Sequence, residues 1–80
     1  MKVLIIDDER SIRNTLKEIL EFEGHEISLA ADGKEGLEMA LAGNFDVIFC
    51  DIKMPGMDGV EVLEKLVENG VDSSVVMISG

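Results

Sequence analysis

The chain has 80 residues, 46% of them apolar, and its seventeen acidic and seven basic residues give a net charge of −10. A chain this short builds one domain with a small core, and its apolar content excludes disorder. The negative charge repels nucleic acids and anionic membranes, so neither is expected as a direct partner. With four apolar residues before the first acids, the N-terminus predicts neither a signal peptide nor a membrane span. We expect a cytoplasmic protein.

The first half of the chain predicts two strands and two helices. Residues 3–6, VLII, are apolar and mostly β-branched and predict a buried strand. A helix follows and ends near Gly24, and its apolar stripe, expected in the core, is Ile12, Leu16, Ile19 and Leu20. Residues 25–31 predict a short strand followed by a turn at Asp32. A shorter helix then ends at Gly43 and carries a stripe of Leu37, Ala40 and Leu41.

The second half is centred on residues 46–59, DVIFCDIKMPGMDG. The apolar run around Asp51 predicts a strand buried on both faces, as in a parallel sheet, followed by a turn-rich loop. Asp58 and Glu61 resemble a capping box at the start of a third helix. The stripe expected to bury this helix is Val60, Leu63, Leu66 and Val67. Residues 75–78, VVMI, predict a fourth strand.

Alternating strands and helices with short connections predict an α/β fold with a parallel sheet and helices on both faces. If the first and third strands are neighbours, Asp7, Asp8 and Asp51 converge at the carboxyl edge, and Ser79 joins them from the fourth strand. Carboxylates about 4 Å apart repel by roughly 4 kcal/mol at an effective dielectric near 20, so the cluster should raise its pKa values or hold a cation. Mg²⁺ suits such ligands.

Simpler roles exist for several of these residues. Asp8 and the following Glu9 are also suited to the start of a helix, as a cap and a favourable charge, but capping explains only two of the three acids. Cys50 lies inside an apolar run and is expected to be a buried hydrophobe in a reducing compartment. His25, at the start of a strand, is expected on the surface.

Three segments closely resemble the receiver domain of two-component response regulators, namely IIDDE at 5–9, DVIFCDIKMPGMDG at 46–59 and VVMISG at 75–80. The resemblance implies a flavodoxin-like, doubly wound parallel sheet of four strands in the order 2-1-3-4, with three helices. It also implies a signalling domain and not an enzyme. Such a domain accepts a phosphoryl group from a sensor histidine kinase or a phosphotransfer protein, with Mg²⁺ as cofactor, and so switches an output.

Individual residues take roles from the same resemblance. Asp51 matches the phospho-accepting aspartate, which also touches the metal. Asp8 matches a direct Mg²⁺ ligand, Asp7 a ligand that acts through water, and Lys53 the position that contributes its backbone carbonyl. Ser79 matches the hydroxyl that hydrogen-bonds the phosphoryl group. The main-chain donors to that group match the amides of Lys53 and Gly80.

The resemblance does not extend to the whole family domain. Family members continue with a fourth helix, a fifth strand ending in a lysine that pairs with the phosphate, and a fifth helix. Residues 1–80 contain none of these elements, and none of the five lysines matches that position. We therefore expect residues 1–80 to be one partial receiver domain in which phosphorylation of Asp51 is slow.

Two alternatives remain. One is a chemically inactive fragment that serves as an assembly module, because residues 75–78 would form an unprotected edge strand beside an uncovered sheet face. Such a chain is expected to form a two-fold symmetric homodimer with an interface above roughly 1,000 Å². The other is a phosphohydrolase of the haloacid-dehalogenase type. That type requires a DxD signature, whereas this sequence has Glu9 in place of the second Asp.

Overall fold

The computed structural model describes residues 1–78, which form a four-stranded parallel sheet and three helices. In chain order the elements are β1 (Lys2–Ile6), α1 (Arg10–Phe22), β2 (Glu26–Ala30), α2 (Gly33–Ala42), β3 (Val47–Asp51), α3 (Gly59–Glu68) and β4 (Ser74–Ile78). The strand order is β2-β1-β3-β4, which confirms the predicted α/β fold and its order. Ser79 and Gly80, which were predicted to contact a phosphoryl group, lie outside the described residues. None of the helices in residues 1–78 has the length and apolar character needed to cross a membrane.

The core lies on one face of the sheet, between the central strands and the helices α2 and α3. Side chains alternate along a strand, so every second residue of β1 and β3 points toward these helices. The core is made of buried side chains from strands, helices and the loop after β3, namely Leu4, Ile6, Ala30, Leu37, Ala40, Ile48, Cys50, Met54, Val62 and Leu66. This packing fixes β1 and β3 side by side and therefore brings their carboxyl ends together.

The opposite face of the sheet is covered only in part. Helix α1 packs against β1 and β2 there, and none of its residues is buried. Ile5, Phe49 and Val76 form a row across β1, β3 and β4. Ile5 is fully buried, Phe49 is half-buried and Val76 is 43% exposed. This face of the sheet therefore opens to solvent toward β4.

All three predicted helical stripes differ in part from the structure. In α2 the residue that differs is Leu41, which is 47% exposed. Ile12 and Ile19 of α1 are 39% and 55% exposed, because α1 lies on the partly covered face. In α3, Val60 and Val67 of the predicted stripe are exposed and Leu66 is buried as predicted, while the helix also buries Gly59 and Val62. The apolar residues of α3 lie along one broad side, opposite its charged residues, and this side is wider than the buried stripe, so periodicity alone does not decide which part of it faces the core.

Helices α2 and α3 begin at an aspartate cap, and α1 does not. The Oδ1 atom of Asp32 accepts a hydrogen bond from the Glu35 amide at 2.8 Å, and Asp58 Oδ1 accepts one from the Glu61 amide at 2.9 Å. The aspartate cap predicted at Asp58 is confirmed, whereas Asp32 caps a helix and does not merely form a turn. The N-cap of α1 is Glu9, which makes no side-chain cap bond, so a cap by Asp8 is not formed.

Gly59, the first residue of α3, packs directly on the end of β3. Its amide donates to the Ile52 carbonyl at 2.9 Å. A Cβ atom on Gly59 would lie 2.8 Å from the Ile52 Cα and still closer to the Asp51 carbonyl oxygen. These are backbone atoms that cannot rotate aside, so α3 sits close to β3 only because residue 59 is glycine.

Gly59→Ala is expected to lower the free energy of unfolding by about 3 kcal/mol, because the added methyl group forces α3 away from the end of β3. Urea unfolding followed by circular dichroism measures the loss. Gly43→Ala is the control, since the nearest atom there belongs to the Phe45 ring, at 2.9 Å, and a side chain can move. Equal losses in the two variants would contradict the proposed contact.

Candidate functional site

Three aspartates meet where β1 and β3 end. Asp7 and Asp8 follow β1 directly, and Asp51 is the last residue of β3. The parallel register that pairs Ile6 with Cys50 brings these ends to the same level. One carboxylate oxygen of each aspartate lies within 4.8 Å of those of the other two. The structure thus brings together the three acids that the sequence analysis selected.

Two of the three carboxylates are withdrawn from solvent. Asp7 is 3% exposed and Asp51 is 6% exposed, whereas Asp8 is exposed. Each buried carboxylate accepts a hydrogen bond from the amide two residues later. Asp7 Oδ1 accepts from the Glu9 amide at 2.9 Å, and Asp51 Oδ1 accepts from the Lys53 amide at 3.2 Å. These two turns fix the buried carboxylates and leave Asp8 open to water.

The site raises the pKa of Asp51 above its ordinary value. Burial is the main cause, because it removes water from the charged carboxylate. The amide of Lys53 opposes this effect, and the charge of Asp7 together with the charge and hydrogen bonding of Asp8 adds to it. The charged side chains that act on Asp51 are thus both acids. A cation between these carboxylates would relieve their repulsion.

The oxygen ligands at this site suit a hard divalent cation. Mg²⁺ is usually held by one or two carboxylates, keeps several of its waters and completes its shell with phosphate oxygens. The buried Asp7 and Asp51 supply fixed oxygens, and the exposed Asp8 lies on the side that water can reach. Lys53 approaches the cluster through its backbone, as its amide contact with Asp51 shows. The residues present therefore fit Mg²⁺.

One residue beside the cluster was not singled out in the sequence analysis. The Nη1 atom of Arg13 donates to the Asp7 carbonyl oxygen at 2.7 Å, and the Arg13 side chain is half-buried. A signal was present in the sequence, because an arginine near the beginning of a helix faces the positive end of the helix dipole. Such a placement indicates that the side chain makes a stabilising contact outside the helix.

Cys50 and His25 lie apart from this chemistry, as predicted. Cys50 is fully buried, and burial, with a smaller contribution from Asp51, raises the pKa of its thiol to about 11. The thiol is therefore neutral near pH 7 and behaves as a small hydrophobe. His25 precedes β2 at the amino edge of the sheet, where its Nδ1 lies 3.4 Å from the N-terminal nitrogen.

Asp51→Asn is expected to raise the melting temperature of the metal-free chain by a few degrees, because it removes a buried charge that two acids repel. The folded chain holds the Asp51 proton more tightly than the unfolded chain. Wild-type stability therefore falls as pH rises from the ordinary aspartate pKa of 3.8 through the raised value. The advantage of Asn should be absent below this window and complete above it.

Thermal melts from acidic to neutral pH, without divalent cations, test this prediction. Asp72→Asn is the matched control, since Asp72 is exposed and lies in the loop before β4, at the other edge of the sheet. A variant of Asp51 that melts like the wild type at every pH would show that the buried charge of Asp51 has no net cost to stability.

The sequence is similar to proteins of a known signalling family. Residues 3–80 match the family model described as the response regulator receiver domain. The response regulator MprA of Mycobacterium avium is 35% identical over 79 residues, which are 99% of this chain and 35% of that protein. The transcriptional regulatory protein DltR of Streptococcus agalactiae is 33% identical with the same coverage. The chain thus spans about a third of the length of these curated relatives.

Solved structures are similar over nearly the whole chain. The response regulator protein TrrA of Thermotoga maritima, in complex with Mg²⁺-BeF, has a TM-score of 0.93 and 38% identity, covering 98% of this chain and 68% of that one. The complex of the histidine kinase ThkA with TrrA has a TM-score of 0.91 and 38% identity, covering 99% of this chain and 68% of that one. A CheY-like receiver domain protein from Methanospirillum hungatei has a TM-score of 0.94 and 39% identity, covering 99% of this chain and 63% of that one.

Proposed function

Because the chain belongs to the response regulator receiver domain family of two-component signalling proteins, we propose that Asp51 is its phospho-accepting residue. In this proposal Mg²⁺ is held by Asp7, Asp8, Asp51 and the backbone carbonyl of Lys53. Residues 1–80 act as one domain. The observation that carries the proposal is the meeting of three carboxylates within 4.8 Å at the end of the two central strands.

Several contacts favour Asp51 over its neighbours as the acceptor. Its raised pKa makes its carboxylate more basic, and basicity favours attack on phosphorus. The Lys53 amide holds one of its oxygens and leaves the other for reaction. Asp7 is held by the Glu9 amide at its side chain and by Arg13 at its carbonyl. Asp8 is exposed and suits a metal ligand.

The proposed reaction is an in-line displacement. An oxygen of ionised Asp51 bonds to the phosphorus of a phosphohistidine while the P–N bond breaks, and the histidine nitrogen leaves with the electron pair. Bound Mg²⁺ would neutralise charge on the phosphoryl oxygens. The Lys53 amide orients the attacking carboxylate. Contacts from Ser79 and the Gly80 amide to the phosphoryl group rest on the family resemblance.

A sensor histidine kinase is the proposed phosphoryl donor, with a phosphotransfer protein as the alternative. The similarity to TrrA in its complex with the histidine kinase ThkA supports a kinase. The chain accepts the group and signals by holding it, so we propose a signalling domain and not an enzyme. Cys50 is a free buried thiol, and a chain without disulfides suits the reducing cytoplasm.

Incubation with acetyl phosphate and Mg²⁺ is expected to add the mass of one phosphoryl group to the intact chain, and slowly, because the charged side chains acting on Asp51 are acids. Intact mass spectrometry measures the product. Asp51→Asn should remove the added mass and Asp72→Asn should keep it, while chelation of Mg²⁺ should stop the reaction. A wild-type chain that gains no mass, or an Asp51→Asn chain that gains it equally, would refute the role of Asp51.

We propose self-association as a second function, in which two copies pack through the open side of the sheet. Val76 is 43% exposed there, and β4 is the end strand of the described sheet. β4 carries no charged residue and no proline, which are the usual protections of an edge strand. A second copy is the proposed partner, because a two-fold axis lets the same edge serve both subunits. Self-association is also the function expected if the chain is a chemically inactive assembly module.

Val76→Lys is expected to convert a wild-type dimer to a monomer at micromolar concentration, because it places a charge in the proposed contact. Size-exclusion chromatography with light scattering measures the mass. Val76 suits this test better than Met77, which packs against the core and whose replacement would disturb the fold. Val60→Lys is the control, since Val60 is a similarly exposed valine, on α3. A monomeric wild type, or a Val76→Lys chain that stays dimeric, would exclude this dimer.

A further inference from the structure

Arg13 ties helix α1 to the backbone that carries two of the three aspartates. Its Nη1 donates to the carbonyl oxygen of Asp7 at 2.7 Å, and the contact is partly buried. That carbonyl belongs to the peptide group joining Asp7 to Asp8. A bond to it therefore restricts rotation of the peptide from which the exposed Asp8 side chain projects. Charge-assisted bonds of this length are among the stronger hydrogen bonds in proteins.

The position of Arg13 runs against the local preference of a helix. The amino end of a helix attracts negative charge, and α2 and α3 have Glu35 and Glu61 in their first turns. Helix α1 instead begins with Arg10, has no acid in its first turn and lacks a side-chain cap. Such departures from local rules are expected at functional sites, where another contact compensates. In α1 the bond from Arg13 to Asp7 is that contact.

The loop between β1 and α1 has few other restraints. The Asp7 amide donates to the Ala30 carbonyl of β2 at 3.2 Å, and the Asp7 carboxylate accepts from the Glu9 amide at 2.9 Å. The first bond holds the amide of Asp7 and the second holds its side chain, so neither holds the peptide group that follows Asp7. The bond from Arg13 acts on the next peptide plane, which sets the direction of Asp8.

We propose that Arg13 is a positioning residue that fixes the peptide between Asp7 and Asp8 and so aims the Asp8 carboxylate at the cation site. The inference rests on the proposed function, since it assumes that Mg²⁺ binds at the three aspartates. Arg13 acts through the backbone and does not touch the cation. Its effect is to order a ligand before the cation arrives.

Charge and position predict opposite effects for the loss of Arg13. A guanidinium beside a cation site repels the cation, so removing its charge alone would strengthen Mg²⁺ binding. Loss of a positioning contact weakens binding, and changes to groups that orient metal ligands typically reduce metal affinity by about ten- to a hundredfold. Arg10 provides the matched control, because it is exposed, carries the same charge and lies at the start of the same helix.

The test is a calorimetric titration of the metal-free chain with MgCl₂, for the wild type, Arg13→Met, Arg13→Lys and Arg10→Met. Arg13→Met keeps the apolar stem and removes the donor, and it is expected to weaken Mg²⁺ binding about tenfold. Arg13→Lys keeps the charge and one donor group and should fall between Arg13→Met and the wild type. Arg10→Met should bind as tightly as the wild type or slightly more tightly. Circular dichroism at the titration temperature confirms that each variant is folded.

Hydrogen exchange at the Glu9 amide, measured by NMR without metal, is the second readout. Exchange should be faster in Arg13→Met and unchanged in Arg10→Met, because only the first loosens the turn. If Arg13→Met binds Mg²⁺ as tightly as Arg10→Met, or if Glu9 exchange is unchanged, the positioning role is wrong. A wild-type chain without saturable Mg²⁺ binding would instead overturn the proposed metal site, and the exchange result would still decide whether Arg13 holds the loop.

Discussion

Repulsion among three carboxylates at one edge of the sheet is the constraint on which the rest of this structure depends. Two unit charges about 4 Å apart repel by roughly 4 kcal/mol at an effective dielectric near 20, which is large beside the net stability of a domain, about 5–15 kcal/mol. The adjoining ends of β1 and β3, at Ile6 and Cys50, are fully buried and anchor Asp7 and Asp51 from below. Apolar packing therefore holds together acids that their charges would separate, and a bound cation would reduce the repulsion.

The two faces of the sheet differ in how closely they are packed and in the role proposed for each. On the face with α2 and α3, close packing such as the contact of Gly59 with the Asp51 carbonyl sets the position of the site. On the face with α1, the row from Ile5 through Phe49 to Val76 becomes steadily more exposed. The first face thus supports the chemistry proposed for Asp51, and the second offers the surface proposed for association. Both follow from which strands the helices cover.

The sequence predicted the features that depend on local pattern, and its predictions failed where contacts between distant residues decide which side chains are buried. Strands and helices followed from apolar runs, and Asp7, Asp8 and Asp51 followed from their places at strand ends. The predicted stripe of α3 was wrong in part, because the apolar side of this helix is wider than the part that the core covers. The contact of Gly59 with the end of β3 turns Val62 and Leu66 toward the core. The exposure of Ile19 depends on what covers its face of the sheet, which the pattern of α1 does not contain.

The two loops that carry the aspartates are held by different means, and their lengths explain the difference. Between Asp51 and the start of α3 there is room for a separate capping residue, so Asp58 can cap the helix while Asp51 serves the site. Between β1 and α1 the chain has only residues 7–9, and its two aspartates are already part of the cluster. An aspartate used as a cap there would be removed from the proposed cation site. Helix α1 therefore begins without a side-chain cap. Arg13 stabilises the loop from the helix by donating to the Asp7 carbonyl, which belongs to the peptide group between the two aspartates.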